Sequence, residues 1–535
     1  MRTFVSYGPV DVDAHYYAPR TDLIDFAYHQ LLGENPERGG HYITVWAPRQ
    51  TGKTWVMKQV IARFKTLDQY DVALLSMQSA KSKTTTEGVL NTLTTQLSKW
   101  FQRDLPTITE WEEIADLFSP PYFSRPVILI LDEFDALAES FINQFANEFR
   151  TIYTNRNNEE DRKSGEKSCL LHSLALIGVR AVLGIENVTG SPFNIQRSVQ
   201  IPNLTYDEVN GMVQWYSQES GQLVEQAVID ALFAETRGQP GLVGWLGELL
   251  TVTYNQAPTR PLDMAYFDEV YAAAVKVLPN NNILNIISKA KQPDYKPVVL
   301  ELFKTQTKML FRFDDPKLNY LYTNGVIAYE KEGRLEYYTR FSSLLVQKRL
   351  FTYFASELFP ELGRVYAPFD DLSDTISEQS IQVHNLLRRY EAYLQANREW
   401  LLKNAPRRRE PVGRDLRIFE AVYHFNLYLY LMRFVESYAS QVFPEFPTGN
   451  GKVDLIVRHA GQTYALEVKS FGGQREYTLA LGQAARYARQ LQQSTITLVM
   501  FIDVVDDENR RKYEVIYTDP ATGVTVEPVF VATGS

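Results

Sequence analysis

The sequence predicts an α/β protein: a parallel sheet covered by helices in the first 200 residues, then a helical stretch and a helix-and-hairpin module, and a second α/β domain at the C-terminal end. Three observations lead there. Strand-like and helix-like patterns alternate through the first 200 residues. The strands of that region are apolar enough to be covered on both faces. Beyond residue 411, two further strand-like runs lie between helical patterns.

The first strand is His41 to Trp46, β-branched and aromatic, and the segment Thr54 to Phe64 carries apolar residues at helical spacing. Between them runs Ala47-Pro48-Arg49-Gln50-Thr51-Gly52-Lys53-Thr54, a G-x-x-x-x-G-K-[ST] loop with Ala47 in place of the first glycine. A strand, a loop and a helix N-terminus in this order make a phosphate cradle, because the terminal N–H groups and the helix dipole favour negative charge. Pro48, Arg49, Gln50, Thr51 and Gly52 are expected to line it, Lys53 to pair with the β- and γ-phosphates of ATP, and the Thr54 hydroxyl to reach Mg²⁺.

Asp71 to Ser76 reads as the second strand, Pro126 to Leu131 as the third, and Leu174 to Val179 as the fourth. The third ends in Asp132-Glu133, the Walker B order: Asp132 organises hydrated Mg²⁺ and Glu133 orients the attacking water. Asp135 is expected to cap the helix opening at Ala136. Asn155 to Lys167 is charged and aperiodic, and reads as an exposed loop. Arg180, just past the fourth strand, has a position suited either to sensing the γ-phosphate or to a surface salt bridge.

Composition sets the outer limits. The chain has 535 residues, one cysteine (Cys169) and a formal charge of −9, so an intrachain disulfide, a cysteine-rich zinc site and a globally basic nucleic-acid coat are excluded. No apolar run approaches membrane-spanning length and no signal-like start is seen, so the expected compartment is the cytoplasm and no membrane partner is expected. The seven histidines show no zinc-ligand spacing.

Tyr16-Tyr17-Ala18-Pro19-Arg20, the loop 47–54, Leu131-Asp132-Glu133, Ser191-Pro192-Phe193-Asn194 and Arg237-Gly238-Gln239-Pro240 together resemble the AAA-like, STAND-related ATPases over residues 10–350. The resemblance implies an ATPase core (1–204), a helical lid (205–285) opened by a Thr205 cap, and a winged-helix-like module (286–360) in a nucleotide-operated switch. The third part has its own sequence support: helices at Val298 to Lys308 and Lys317 to Gly325, then a hairpin around Lys331-Glu332-Gly333-Arg334. The wing's mixed charge favours packing on the ATPase over binding DNA. A helical connector follows (361–410), its helix running from Ile381 to Lys403 and its linker carrying Arg407-Arg408-Arg409, which either is solvated or contacts phosphate.

The last domain (411–535) holds a second constellation. Lys452 to His459 and Gln462 to Lys469 are separated by Ala460-Gly461, the length of a tight hairpin. Pairing His459 with Gln462 sets Leu455 opposite Leu466 and Val453 opposite Val468, and on the other face it sets Asp454 opposite Glu467, with Lys469 two residues along. Two carboxylates facing each other across a ladder repel unless a positive charge joins them, and a divalent cation supplies one. This arrangement resembles the PD-(D/E)XK nuclease superfamily, with Glu467-Val468-Lys469 as the E-x-K and Val453 in place of the usual proline. The resemblance implies that Asp454, Glu467 and the Val468 carbonyl hold Mg²⁺ or Mn²⁺ and that Lys469 positions the hydrolytic water. Glu420, on a helix expected from Asp415 to Val435, matches the acidic helix position, and Gln483 and Tyr487 match a Q-x-x-x-Y phrase on a helix over Leu479 to Leu491.

The expected function is an ATP-dependent, metal-dependent nuclease acting on nucleic acid, DNA first, with homo-oligomers or a partner protein as possible associates. Defence against foreign DNA is the role this pairing suggests. The alternative is a STAND-type switch or DNA-binding regulator whose C-terminal domain binds without cutting.

Overall fold

The computed structural model describes all residues except 179–196, 304–308, 410–415, 419, 439, 446–452 and 535, with the backbone alone at 408–409, 416–418, 420 and 453–454. The chain divides into two compact units, Met1–Ala274 with Asp314–Gly325, and Val275–Phe313 with Val326–Ser535.

The first unit is built on a parallel sheet of β1 (Tyr42–Trp46), β2 (Asp71–Ser76), β3 (Val127–Asp132), β4 (Leu171–Gly178) and β5 (Arg197–Gln200), in the order β2-β3-β4-β1-β5. Every residue of β3 and β4 is buried, which is why residues 127–131 and 174–177 read as apolar runs, while the polar His172 and Ser173 are buried at the start of β4. One face packs on the helices Thr21–Leu32 and Lys53–Lys65 through Leu31, Val56 and Val60, and the other on Thr86–Phe101 and Glu139–Asn158 through Leu93 and Phe145. Truncating one such side chain to alanine costs about 2–5 kcal/mol. The sheet is followed by the helices Tyr206–Ser220, Gln226–Thr236 and Pro240–Glu248. Thr205 opens the first of them with a capping box completed by Glu208.

Two local expectations change here. Asn155 to Lys167 is not simply exposed: Arg156, Ser164 and Lys167 are buried. Arg156 donates to the Cys169 carbonyl and to Ser164 Oγ, Lys167 donates to the Arg156 carbonyl at 2.7 Å, and Ser164 Oγ lies 2.8 Å from His172 Nδ1. Residues 155–158 continue the helix Glu139–Asn158, and the partners of the buried charges lie only 8 to 13 residues away, joined by a turn of chain that residue pattern alone does not show. Asp135 caps no helix; it lies in the short turn Phe134–Ala136, and the long helix starts at Glu139 without a side-chain cap.

In the second unit a hairpin of β6 (Ile327–Glu332) and β7 (Glu336–Phe341) follows the helices Asn281–Ala290 and Lys296–Leu302, while the helix Pro316–Thr323 groups with the first unit. Further helices span Leu344–Leu358 and Val383–Leu401. The arginine triplet is a strand rather than a linker: β8 (Arg407–Arg409) pairs antiparallel with β9 (Leu416–Ile418), so the next helix starts at Glu420, not Asp415. That helix, Glu420–Val435, leads into a mixed sheet of β10 (Gln441–Glu445), β11 (Val453–His459), β12 (Gln462–Ser470), β13 (Thr495–Ile502), β14 (Tyr517–Thr518) and β15 (Thr525–Ala532), in the order β10-β11-β12-β13-β15-β14. β10 to β12 run antiparallel, and β12, β13 and β15 run parallel. Between β12 and β13 lies the helix Gln474–Gln490. Among the described residues no helix is long and apolar enough to cross a membrane.

Candidate functional site

The loop after β1 turns through left-handed backbone at Gln50 (φ 57) and Gly52 (φ 89), and the helix begins at Lys53. Lys53 curls under its own loop, its Nζ donating to the carbonyls of Ala47 and Pro48 at 2.8 Å each. The residue as a whole is half-buried, but its ammonium is enclosed. Burial therefore pulls Lys53 down to about 8, against the opposing pull of the Asp135 and Asp132 charges. Thr54 Oγ1 donates to Asp132 Oδ2 at 2.6 Å, so the two groups expected at Mg²⁺ meet at the ends of adjacent elements. Asp132 is buried, and desolvation holds its carboxyl above the usual carboxylate range despite hydrogen bonds from Thr54 and the Glu133 N–H.

Glu133 itself has left-handed backbone (φ 54), and its Oε2 accepts a 2.5 Å hydrogen bond from Ser76 Oγ at the end of β2. Ser76 had no motif to mark it; β2 and β3 are neighbours in register, with Ser76 opposite Asp132, and only that pairing brings it to the Walker B carboxylates. A second group without a site signal of its own is Gln239. Its Nε2 donates to the carbonyls of Arg49 (3.0 Å) and Gln50 (3.3 Å), while its Oε1 accepts from the Leu242 N–H at 2.6 Å. The Gly241 N–H also donates to Gln50 at 3.0 Å, and a Cβ at Gly241 meets the Gln50 side chain at 2.5 Å. Gln239 thus ties the N-terminus of the third helix after the sheet to the phosphate loop. Arg180 lies outside the described residues, as do Ser191 to Asn194.

In the second unit, β11 and β12 pair in the register that the residue pattern predicts, with Asp454 opposite Glu467, Leu455 opposite Leu466 and His459 opposite Gln462. Ala460 (φ 49) and Gly461 (φ 76) make the tight turn in left-handed backbone. Glu467 is 1% exposed, and Lys469 Nζ lies 2.7 Å from its Oε1. Glu467 Oε2 has no hydrogen-bond partner among the described residues. Lys469 Nζ also donates to Gln483 Oε1 at 2.5 Å, so the helix Gln474–Gln490 delivers Gln483 to the lysine. Tyr487, one turn on, is buried in the same helix's core. Asp454 is placed by backbone register and Glu420 at the first residue of its helix; the side chains of both are outside the described set.

A buried carboxylate oxygen without a partner costs about 1–3 kcal/mol or more, so among the described residues the site is short of positive charge or of donors. A hard divalent cation suits an all-oxygen donor set of this kind. Among the described residues no group of three His, Cys, Asp or Glu side chains is gathered for a metal. A cavity of about 710 Å³ in the second unit is lined by Lys276, Arg433 and neighbours, and shares no residue with the Glu467 constellation.

Residues 5–256 match the family model of the AAA-like domain. No curated protein matches the chain. Among solved structures it is similar to the Orc1 protein of Aeropyrum pernix in complex with DNA, at 16% identity over 64% of this chain and 92% of that one, with a TM-score of 0.33. It is also similar to a Walker-type ATPase of Pyrococcus abyssi (13% identity, 65% and 99%, TM-score 0.39) and to the RuvB Holliday junction branch migration motor of Thermotoga maritima (13%, 61% and 94%, TM-score 0.33). With Thr54 of the loop after β1 on Asp132 and Lys53 enclosed by the same loop, residues 5–256 are an AAA-like P-loop ATPase domain, a family that implies binding of ATP with Mg²⁺.

Proposed function

We propose that the chain is an ATP-dependent, divalent-metal-dependent nuclease, with DNA as its first substrate, in which ATP binding and hydrolysis gate or drive phosphodiester cleavage by the C-terminal sheet. The observation that carries this reading is the Glu467 carboxylate: buried, opposite Asp454 in the ladder, paired to Lys469 through one oxygen and without a described partner for the other. Simple structural burial gives a weak account of it, because an ion pair buried for stability alone gains little over apolar residues. Asp454, Glu467 and the Val468 carbonyl are the groups that would hold Mg²⁺ or Mn²⁺. When bound, the ion supplies Lewis-acid polarisation of a phosphoryl oxygen and an acidified water. Lys469 adds positive charge where negative charge develops on the phosphate, Gln483 fixes the direction of that ammonium, and Glu420 adds a further acidic group.

The test is a cleavage assay on linear, circular and single-stranded DNA with Mg²⁺ or Mn²⁺, with and without ATP. Wild type is compared with Lys53→Ala and Lys469→Ala. Metal-dependent cleavage lost in Lys469→Ala and altered in Lys53→Ala is expected. Cleavage that survives Lys469→Ala overturns the site. Binding without cleavage in wild type returns the C-terminal domain to the role of a DNA-binding regulator.

A further inference from the structure

The helix Gln474–Gln490 covers the sheet face that carries Glu467 and Lys469, and its outward side has a chemistry of its own. Arg475, Leu479, Gly482 and Arg486 fall at i, i+4, i+7 and i+11, one stripe of a helix with 3.6 residues per turn, and Arg489 extends it. The three arginines are exposed, and so is Leu479, at 58%. No acidic residue falls in the stripe. Among the described residues Arg475 and Arg486 make no hydrogen bond or ion pair, whereas Arg489 reaches the Ala521 carbonyl at 3.5 Å. In a chain of net charge −9 this is a local excess of positive charge, and it borders Gln483, which neighbours both Leu479 and Arg486 on the helix surface.

Gly482 is an independent sign. A glycine inside a helix lowers stability relative to alanine. A Cβ built at Gly482 meets only Arg486 Nη1, at 3.6 Å, which is ordinary van der Waals contact. Packing among the described residues does not account for a missing side chain at this position. Close approach of another molecule to the helix backbone would.

We propose that this stripe is the track on which the phosphate backbone of DNA lies as it enters the Lys469 site, with Arg475 and Arg486 on phosphates, Leu479 against sugar carbons, and Gly482 letting the strand approach beside Gln483. Eleven residues of helix span about 16 Å, the axial length of about five phosphates of one strand. The ligand class rests on the nuclease reading above.

The test uses the full chain and a fluorescent linear DNA duplex in EDTA, titrated across salt concentrations, with cleavage measured separately in Mg²⁺. Arg475→Ala combined with Arg486→Ala is expected to flatten the slope of log K against log salt by about two. Gly482→Ala is expected to weaken binding several-fold while raising Tm by about 2–4 °C, a combination that loss of folding does not produce. Wild-type slope and affinity in both variants overturn the track, even if wild type cuts DNA normally. Capture of an acidic peptide in place of DNA, with the same arginine dependence, also overturns it. If wild type binds with the expected arginine dependence yet never cuts, the nuclease reading fails and the track stands.

Discussion

Lys53 carries a charge that the folded protein disfavours. Its pKa near 8 lies below the ordinary 10.5 because the loop encloses the ammonium. Between those two values the unfolded chain holds a proton that the folded chain has released, so this group's contribution to stability rises with pH across that window. ATP reverses the balance, since phosphate charge beside the ammonium favours the protonated form. ATP affinity is therefore expected to fall as pH rises through about 8, with proton uptake on binding near that pH. Isothermal titration in buffers of different ionisation enthalpy reads both; an affinity flat from pH 7 to 9 would show that Lys53 does not titrate on binding. Ser76 gives a second expectation at this scale. Its hydroxyl donates to Glu133 Oε2 and so competes with the water that this carboxylate is expected to orient. Ser76→Ala is expected to raise basal ATP turnover by roughly fivefold, the rate equivalent of about 1 kcal/mol, with ATP affinity unchanged. Single-turnover hydrolysis checks it, and an unchanged rate would mean that the hydrogen bond has no bearing on Glu133.

Among elements, the junction between the phosphate loop and the helix Pro240–Glu248 rests on the Gln239 side-chain amide together with the Gly241 N–H, which donates to the Gln50 carbonyl. Gln239 serves two loop carbonyls and the helix N-terminus at once, so Gln239→Ala removes three side-chain hydrogen bonds and leaves the Gln50 carbonyl and the Leu242 N–H with their backbone partners alone. A loss of about 1–2 kcal/mol in urea unfolding is expected, together with weaker ATP binding, whereas Gln239→Asn should keep part of the cap and lose the reach to the loop. Equal ATP affinity in wild type and Gln239→Ala would show that this contact does not support the nucleotide site. Gln239 also shows what local pattern conveys. The phosphate loop and the β11–β12 register were readable because each is set by neighbours in sequence, one by a strand-to-helix turn and the other by period-2 alternation across a two-residue turn. Gln239 on the loop and Ser76 on Glu133 were not, because each pairing depends on where distant elements come together. The start of the helix at Glu420 was missed for a related reason: Arg417 and its neighbours suit a helix by propensity, but they pair with Arg407–Arg409 as a strand.

For the whole molecule, the chain passes between its two units at 274/275, 313/314 and 325/326, so neither unit is a contiguous stretch of sequence. The proposed control of cleavage by ATP has a thermodynamic consequence that needs no knowledge of the route. If the nucleotide bound in the first unit changes DNA affinity in the second by some factor, DNA must change ATP affinity by the same factor. Coupling of this kind is typically about 1–3 kcal/mol, or roughly 5–150-fold. ATP dissociation constants measured with and without saturating duplex, in EDTA-free buffer with Ca²⁺ to hold back cleavage, are expected to differ by the factor by which ATP shifts the DNA dissociation constant. Arg475→Ala with Arg486→Ala should weaken DNA binding yet leave that factor in place at saturation, because the arginines hold the ligand and do not transmit the coupling. Lys53→Ala should abolish the effect of ATP on DNA affinity. Equal ATP affinity with and without DNA would mean that the ATPase does not act through affinity, and that any control is exerted on the rate of the chemical step alone.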